Sequence, residues 1–345
     1  MKKSILTSIL ILIMLTTSSC DRGLKKHQAS FLFLFNTITE IVAYTKTENE
    51  FSEFADFIHD ELDIYHQLYD KYTSYEGINN IKTINDNAGK NPIKVDKKII
   101  DLLKFSVDAY ELSDGTVNIG MGSVLEIWHN YRTQGIDDPS NATLPPMELL
   151  IEANKHTNLD MLIIDEVNST VLLADSQMRL DVGAIAKGYA TERVTQAAID
   201  RGYTDFLLSV GGNVRAAGGK DKEKAPWNVG IQNPDKESEQ HSLFVLALND
   251  LSLVASGDYE RYYTVGGKKY HHIIDPDTLM PAAYFTAISI ICEDSGIADV
   301  LSTAIYNMPY EDGLALIESL EDTEALWIFH DESMKYSSGF EVLVK

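Results

Sequence analysis

The sequence has little cysteine: two residues in 345. Two thiols cannot make a disulfide framework, so the fold must rest on a core. Positive charge is also scarce. Lys and Arg total 29 against 52 Asp and Glu, a net charge of −23. That balance excludes a nucleic-acid partner, because phosphate neutralisation needs a basic face. It suits a site where a divalent cation offsets carboxylates and an anionic ligand. Beyond the N-terminus no apolar run reaches the ~18 residues of a membrane span. Repeats and low-complexity tracts are missing, which excludes solenoids and compositional disorder. What is present is a 44% apolar, 23% charged chain with enough apolar residues for a sizeable core. Its length fits one large domain or two smaller ones.

The N-terminus reads Lys2-Lys3, an apolar run from Ile5 to Leu15, then small residues up to Cys20. These are the parts of a secretory signal. Ser18-Ser19-Cys20 is similar to a bacterial lipoprotein cleavage box, although Thr17 stands where Leu is expected. The expectation is removal of residues 1–19, lipidation of Cys20, a polar tether over 20–30, and one domain over 31–345. The mature chain would then be anchored to a membrane, not span it. A plain signal peptide that happens to contain Cys20 is the alternative. Cys292, in the apolar run Ile288–Cys292, reads as a small buried hydrophobe.

Patterning predicts strands at Phe31–Tyr44, Asp205–Val210, Trp227–Ile231, Leu243–Leu248, Leu251–Ser256, Tyr284–Cys292, Ala325–Phe329 and Phe340–Val344. It predicts helices at Phe51–Tyr72, Lys97–Leu112, Gly296–Asn307 and Tyr310–Leu320, and a hairpin at Met161–Leu173. Arg179–Ile199 reads as a strand that becomes a helix. Arg132–Met147 reads as a loop and the internal seam. The order lacks a regular βαβ beat, so the fold class is α+β.

Four stretches could carry chemistry. In Asp181-Val-Gly183-Ala184-Ile-Ala-Lys187-Gly188 a helix begins after small residues. Its free N–H groups and Lys187 suit phosphate, while a tightly packed helix with a surface lysine is the plainer reading. Ser209-Val-Gly211-Gly212-Asn213 is either a sharp turn or bared backbone for a ligand. Ser256-Gly257-Asp258-Tyr-Glu-Arg261 is followed by His271-His272-Ile273-Ile-Asp275-Pro276. A histidine there suits proton transfer near neutral pH. The spacing matches no closed zinc site, and a hairpin with surface histidines remains open for His271. In Ala298-Asp299-Val-Leu-Ser-Thr303-Ala304, Asp299 and Thr303 share a helix face and offer hard oxygens. An acidic N-terminal turn serving the helix dipole is the plainer reading of Asp299.

In this order the stretches resemble the FAD:protein FMN transferase (ApbE) family over essentially the whole mature chain. Two further segments fit the resemblance. Phe35-Asn36-Thr37 stands where the family usually has Met-Gly-Thr, and Thr73-Ser-Tyr75 with Asn79, Asn80, Ile81 and Asn85 looks like its flavin-side motif. The resemblance implies a single two-lobed α+β domain with mixed or antiparallel sheets, flanking helices and FAD, the substrate, in the cleft between lobes. It implies Mg²⁺ held by the Ala184 carbonyl and the side chains of Asp299 and Thr303. Flavin or phosphate contacts would fall on Phe35, Tyr75, Asn79, Asn80, Ile81, Asn118, Lys187, Gly211, Gly212, Ser256, Gly257, Asp258, Arg261, His272 and Ile273. His272 would be the base, with Asp275 orienting it.

The implied reaction moves FMN from FAD to a Thr or Ser hydroxyl of an extracytoplasmic electron-transfer flavoprotein and releases AMP. Hydrolysis of FAD at the same site, or FAD binding without chemistry, are the alternatives. The departures are Asn118 for Asp, Phe35 for Met and Leu279 for a Gly often found after Asp-Pro-x-Thr.

Overall fold

The computed structural model describes residues 23–345. The signal and the Cys20 anchor therefore lie outside the described residues. The N-terminal half runs β1 (Lys25–Leu32), β2 (Ile38–Thr45), α1 (Glu48–Tyr69), α2 (Ile81–Asp86), β3 (Ile93–Lys94), α3 (Lys97–Leu112), α4 (Gly122–Asp137), α5 (Met147–Asn154), β4 (Leu162–Asp165) and β5 (Thr170–Leu173). There follow α6 (Ala186–Asp200), β6 (Phe206–Val210), β7 (Asn213–Ala217), β8 (Trp227–Gln232), β9 (Ser242–Leu248) and β10 (Ser252–Gly257). The chain closes with β11 (Tyr262–Val265), β12 (Lys268–His271), β13 (Ala287–Cys292), α7 (Ser295–Tyr306), α8 (Tyr310–Glu318), β14 (Glu324–Ile328), β15 (Met334–Tyr336) and α9 (Phe340–Leu343).

The frame is an eight-stranded sheet in the order β1-β2-β6-β7-β10-β13-β14-β15. Each neighbouring pair in it is antiparallel. Period-two alternation sends successive side chains to opposite faces. On β13, Ile288, Ile290 and Cys292 join the core under α7 and α8. Ala287 and Ile291 join the opposite core, with Trp227 of β8 and Leu246 of β9. Both faces are covered, which is why β13 reads as an unbroken apolar run. Helices α1 and α3 bury Phe54, Ile58, Leu62, Ile99 and Leu103 in a third cluster with α6 and the β2–β6 end of the sheet. Thr47 starts α1 by accepting the Glu50 N–H, a cap worth about 1 kcal/mol.

A separate cluster joins α4 and α5 to the β11–β12 hairpin through Val124, Trp128, Leu150, Tyr263 and Leu279. It forms the second lobe, and the candidate site lies where this lobe meets the sheet and α6.

Several expectations are corrected. Phe31–Tyr44 is two strands, because Phe33, Phe35 and Asn36 turn the chain with positive φ. The tether is shorter than 20–30, since Lys25–Ser30 pair with Glu40–Thr45 in the sheet. Arg132–Asp137 continues α4, so the seam begins only after it. Arg179 makes one isolated bridge to Met121 and no strand before α6. Phe340–Val344 is mainly the short helix α9, whose Phe340 fills the core against Phe244.

Candidate active site at the lobe junction

Helix α6 begins after the small-residue turn Val182–Ile185 and meets α7 almost backbone to backbone. A Cβ on Gly188 would lie 2.3 Å from the Ser295 carbonyl oxygen and 2.4 Å from the Asp299 Cβ. At this contact the Gly188 N–H donates to Asp299 Oδ2 at 2.8 Å. The Lys187 Nζ stands 3.9 Å from the other carboxylate oxygen. Asp299 is 5% exposed. Thr303 lies one turn on along the same face and is half-buried. Ala184 lies in the turn just before α6 and is half-buried. Glu192 locks the junction from beneath. It accepts from Arg215 Nε at 3.1 Å and from the Ser295 N–H at 3.0 Å.

The donor chemistry fits a hard cation. Among the described residues, no three His, Cys, Asp or Glu side chains gather as ligands. The set implied by the resemblance would instead be the Asp299 carboxylate, the Thr303 hydroxyl and the Ala184 backbone carbonyl. That suits a cation completed by water and phosphate oxygens. It lacks the N and S ligands of a zinc centre.

Next to this lies a cationic rim. Lys71, just after α1, pairs with Asp181 at 2.5 Å. The Gly183 N–H also donates to that carboxylate, at 2.9 Å. Burial works against the Asp181 charge, but the Lys71 ammonium outweighs it and holds the carboxyl below its ordinary value. Lys187 Nζ donates to Asn213 Oδ1 at 3.2 Å. The Asn213 amide nitrogen is sealed from solvent without an acceptor, on a side chain 1% exposed. Arg132 of α4 donates to His129 Nδ1 at 3.1 Å. Burial and then the charge of Arg261 push the Arg132 pKa down.

His272 follows β12. Its Nε2 accepts from Arg261 at 2.9 Å, and its Nδ1 is sealed off without a partner. Desolvation, then Arg261 and Arg132, push its pKa well below the ordinary 6.5, so the ring is neutral at pH 7. Unpaired donors with no acceptor are costly unless a ligand completes them. Here they gather where four cations converge in a chain of net charge −23.

The other sequence-predicted residues divide into groups. Gly211 and Gly212 form the two-residue β6–β7 turn beside Asn213, and Gly211 packs on Thr37. Ser256 Oγ lies 3.0 Å from Ser302 Oγ, tying β10 to α7. Gly257 leaves room for the Tyr259 ring. Asp258 is half-buried, with His330 Nδ1 4.0 Å from its carboxylate. Ile273 is buried, and its N–H donates to His271 Nδ1. His271 donates through Nε2 to the Ala282 carbonyl at 2.7 Å, so it is a core residue.

On the α1 side, the Phe35 N–H donates to His66 Nδ1 at 3.2 Å, and Tyr75 bonds Asp70 at 2.9 Å while its ring meets His66. Asn118 holds the Thr157 carbonyl and the Gly120 N–H. Asn79 holds the Lys94 carbonyl.

Some expected roles are not available. Asn80 is buried, and its side chain serves the α2 capping box and the Gln67 and Thr73 carbonyls. Ile81 is fully buried in the core. Asp275 accepts the Asp277 and Thr278 N–H groups through Oδ1 and shapes a turn, and neither ring nitrogen of His272 bonds to it, so it does not orient His272.

Sequence reasoning missed Lys71, Arg132, His66 and the Asn213 side chain. Lys71 belongs to no motif, and Arg132 was hidden in a stretch read as loop. Asn213 was legible as the end of the Gly-Gly motif, where the glycines drew the attention.

The ApbE family model matches residues 35–327. An FAD:protein FMN transferase of Treponema pallidum is 33% identical over 272 residues, covering 75% of this chain and 73% of the relative. One from Klebsiella pneumoniae is 28% identical over 277 residues, covering 79% and 83%. The crystal structure of an ApbE protein from Thermotoga maritima superposes with a TM-score of 0.81 at 27% identity, over 93% of this chain and 100% of that one.

Proposed function

The chain belongs to the ApbE family, and we propose that it is an FAD:protein FMN transferase that moves FMN from FAD to a Thr or Ser hydroxyl of an acceptor flavoprotein. The observation that carries this reading is the α6–α7 contact. It sets the Asp299 carboxylate beside Lys187, at the edge of a cationic rim that also holds a neutral histidine.

Asp299, Thr303 and the Ala184 carbonyl would hold Mg²⁺. Bound there, Mg²⁺ would supply electrophilic stabilisation of the diphosphate charge. The protein's own residues do the rest. Lys71, Lys187, Arg132 and Arg261 bind and orient the diphosphate, and the Asn213 amide has a hydrogen bond to give it. His272 takes the proton of the acceptor hydroxyl as its oxygen forms the bond to the flavin-side phosphorus. The bond to the bridging oxygen breaks and AMP leaves. Such transfer asks mainly for positioning and charge stabilisation, which a rigid rim provides.

The test incubates the protein with FAD, Mg²⁺ and a candidate acceptor, then weighs the acceptor. A mass gain equal to FMN together with AMP supports transfer. Free FMN beside an unmodified acceptor means hydrolysis, and intact FAD means binding alone. Exhaustive chelation should stop the reaction, and turnover that survives it removes the metal from the scheme. The sequence around Cys20 supports an anchor on the extracytoplasmic side of a membrane, near such acceptors. Labelling with a fatty-acid probe that is lost in Cys20→Ser would bear that out.

A further inference from the structure

In this structure His272 is a closed base. A guanidinium only donates hydrogen bonds, so Arg261, 2.9 Å from Nε2, fixes that nitrogen as an acceptor. The single proton of the neutral ring must then sit on Nδ1, which is sealed off and unpartnered. One nitrogen is capped and the other is already protonated, so the ring has no lone pair for an incoming hydroxyl.

No ion pair among the described residues holds the cap in place. Arg261 is exposed. Among the described residues, neither it nor Arg132 has a carboxylate partner, although each lies within electrostatic reach of the other. Asp181 acts on both from a distance but is itself paired with Lys71, so the forks of the two guanidiniums are left to be completed by a doubly charged anion, whose oxygens match their geometry. The charges that act most strongly on His272 are those of Arg261 and Arg132, followed by His271 and Lys187, and all of them disfavour a protonated imidazole.

We infer that Arg261 is a positioning residue that keeps His272 closed until the diphosphate of the substrate draws its guanidinium away and frees Nε2. This rests on the transferase reading for its purpose. It makes FAD the first substrate to bind and leaves the base silent toward hydroxyls until FAD is in place.

The experiment needs no turnover. Long-range ¹H–¹⁵N spectra of histidine-labelled protein report which ring nitrogen holds the proton, and the His272→Gln spectrum assigns the signals. The free protein should show Nδ1 protonated and Nε2 as a hydrogen-bonded acceptor. Saturation with inorganic pyrophosphate, without metal, should release Nε2 and give the pattern of Arg261→Met. Arg261→Met should not respond to pyrophosphate in this way, whereas Arg261→Lys should keep the closed pattern.

The inference is overturned by a free protein with its proton on Nε2, by pyrophosphate that binds without moving the His272 ring signals, or by pyrophosphate that does not bind. The wild-type titration decides the matter even if Arg261→Met fails to fold. Acceptor flavinylation is measured separately, so loss of the transferase reading is distinguishable from loss of this one.

Discussion

Asp299 on α7 accepts the backbone N–H of Gly188 on α6 at 2.8 Å, so one carboxylate both joins two helices and stands beside Lys187. The two duties separate by substitution. Asp299→Asn keeps a carbonyl oxygen for Gly188 and removes the charge. It should unfold within about 1 kcal/mol of the wild type while FMN transfer falls by about two orders of magnitude or more. Asp299→Ala leaves the Gly188 N–H unpaired and should lose a further ~1–3 kcal/mol. Thermal unfolding beside the transfer assay separates the effects. An Asp299→Asn protein with full activity removes Asp299 from the cation site.

The depressed pKa of His272 is a stability statement. In the unfolded chain the ring takes a proton near 6.5, and in the folded protein only well below that. Between those values the unfolded state binds more protons, so stability is fully present above 6.5 and falls as pH drops. His272→Gln should therefore show a shallower decline of Tm on acidification than the wild type. Other histidines contribute equally to both curves, so the difference isolates His272. Parallel curves below 6.5 would show that its pKa is not depressed.

Much of this was legible in the sequence because the chemistry sits in contiguous motifs. Asp299 and Thr303 share a face by helical spacing alone, and the apolar run of β13 announced a buried strand. What was not legible depended on tertiary contact. Asp275 has the composition of a catalytic partner, yet its Oδ1 accepts the N–H groups of its own turn and no bond reaches His272. Asn80 is polar and in the expected motif, but serves as a cap. Lys71 and Asp181 are far apart in sequence, so their ion pair has no local signature. The short helix α9 was missed because Phe340–Val344 carries too few residues to separate a period of 2 from 3.6.

Leu279 sits at φ 59 in the turn after Asp275, a conformation that favours Gly. Its side chain is 4% exposed, and its carbonyl accepts the Trp128 indole N–H at 2.9 Å. Leu279→Gly relieves a left-handed conformation worth about 1–2 kcal/mol. It also removes a buried side chain whose loss costs about 2–5 kcal/mol. The second effect wins, so the variant should be less stable, with a lower Tm. A variant as stable as wild type would mean that the lobe repacks around the loss.

The two glycines of the β6–β7 turn should respond unequally to alanine. At Gly212, φ is 90 and no atom lies within 4 Å of an added Cβ, so Gly212→Ala carries only the left-handed cost of about 1–2 kcal/mol. At Gly211, φ is 58 and the new Cβ would stand 2.5 Å from Thr37 Oγ1. Relief requires shifting Thr37 and with it the turn whose Phe35 N–H rests on His66. Overpacking adds about 1–3 kcal/mol, and the displaced turn borders the expected flavin side. Gly211→Ala should therefore lower Tm more than Gly212→Ala and weaken FAD binding as well, read by fluorescence titration. Equal losses in both variants would show that the Thr37 contact is soft and does not shape the site.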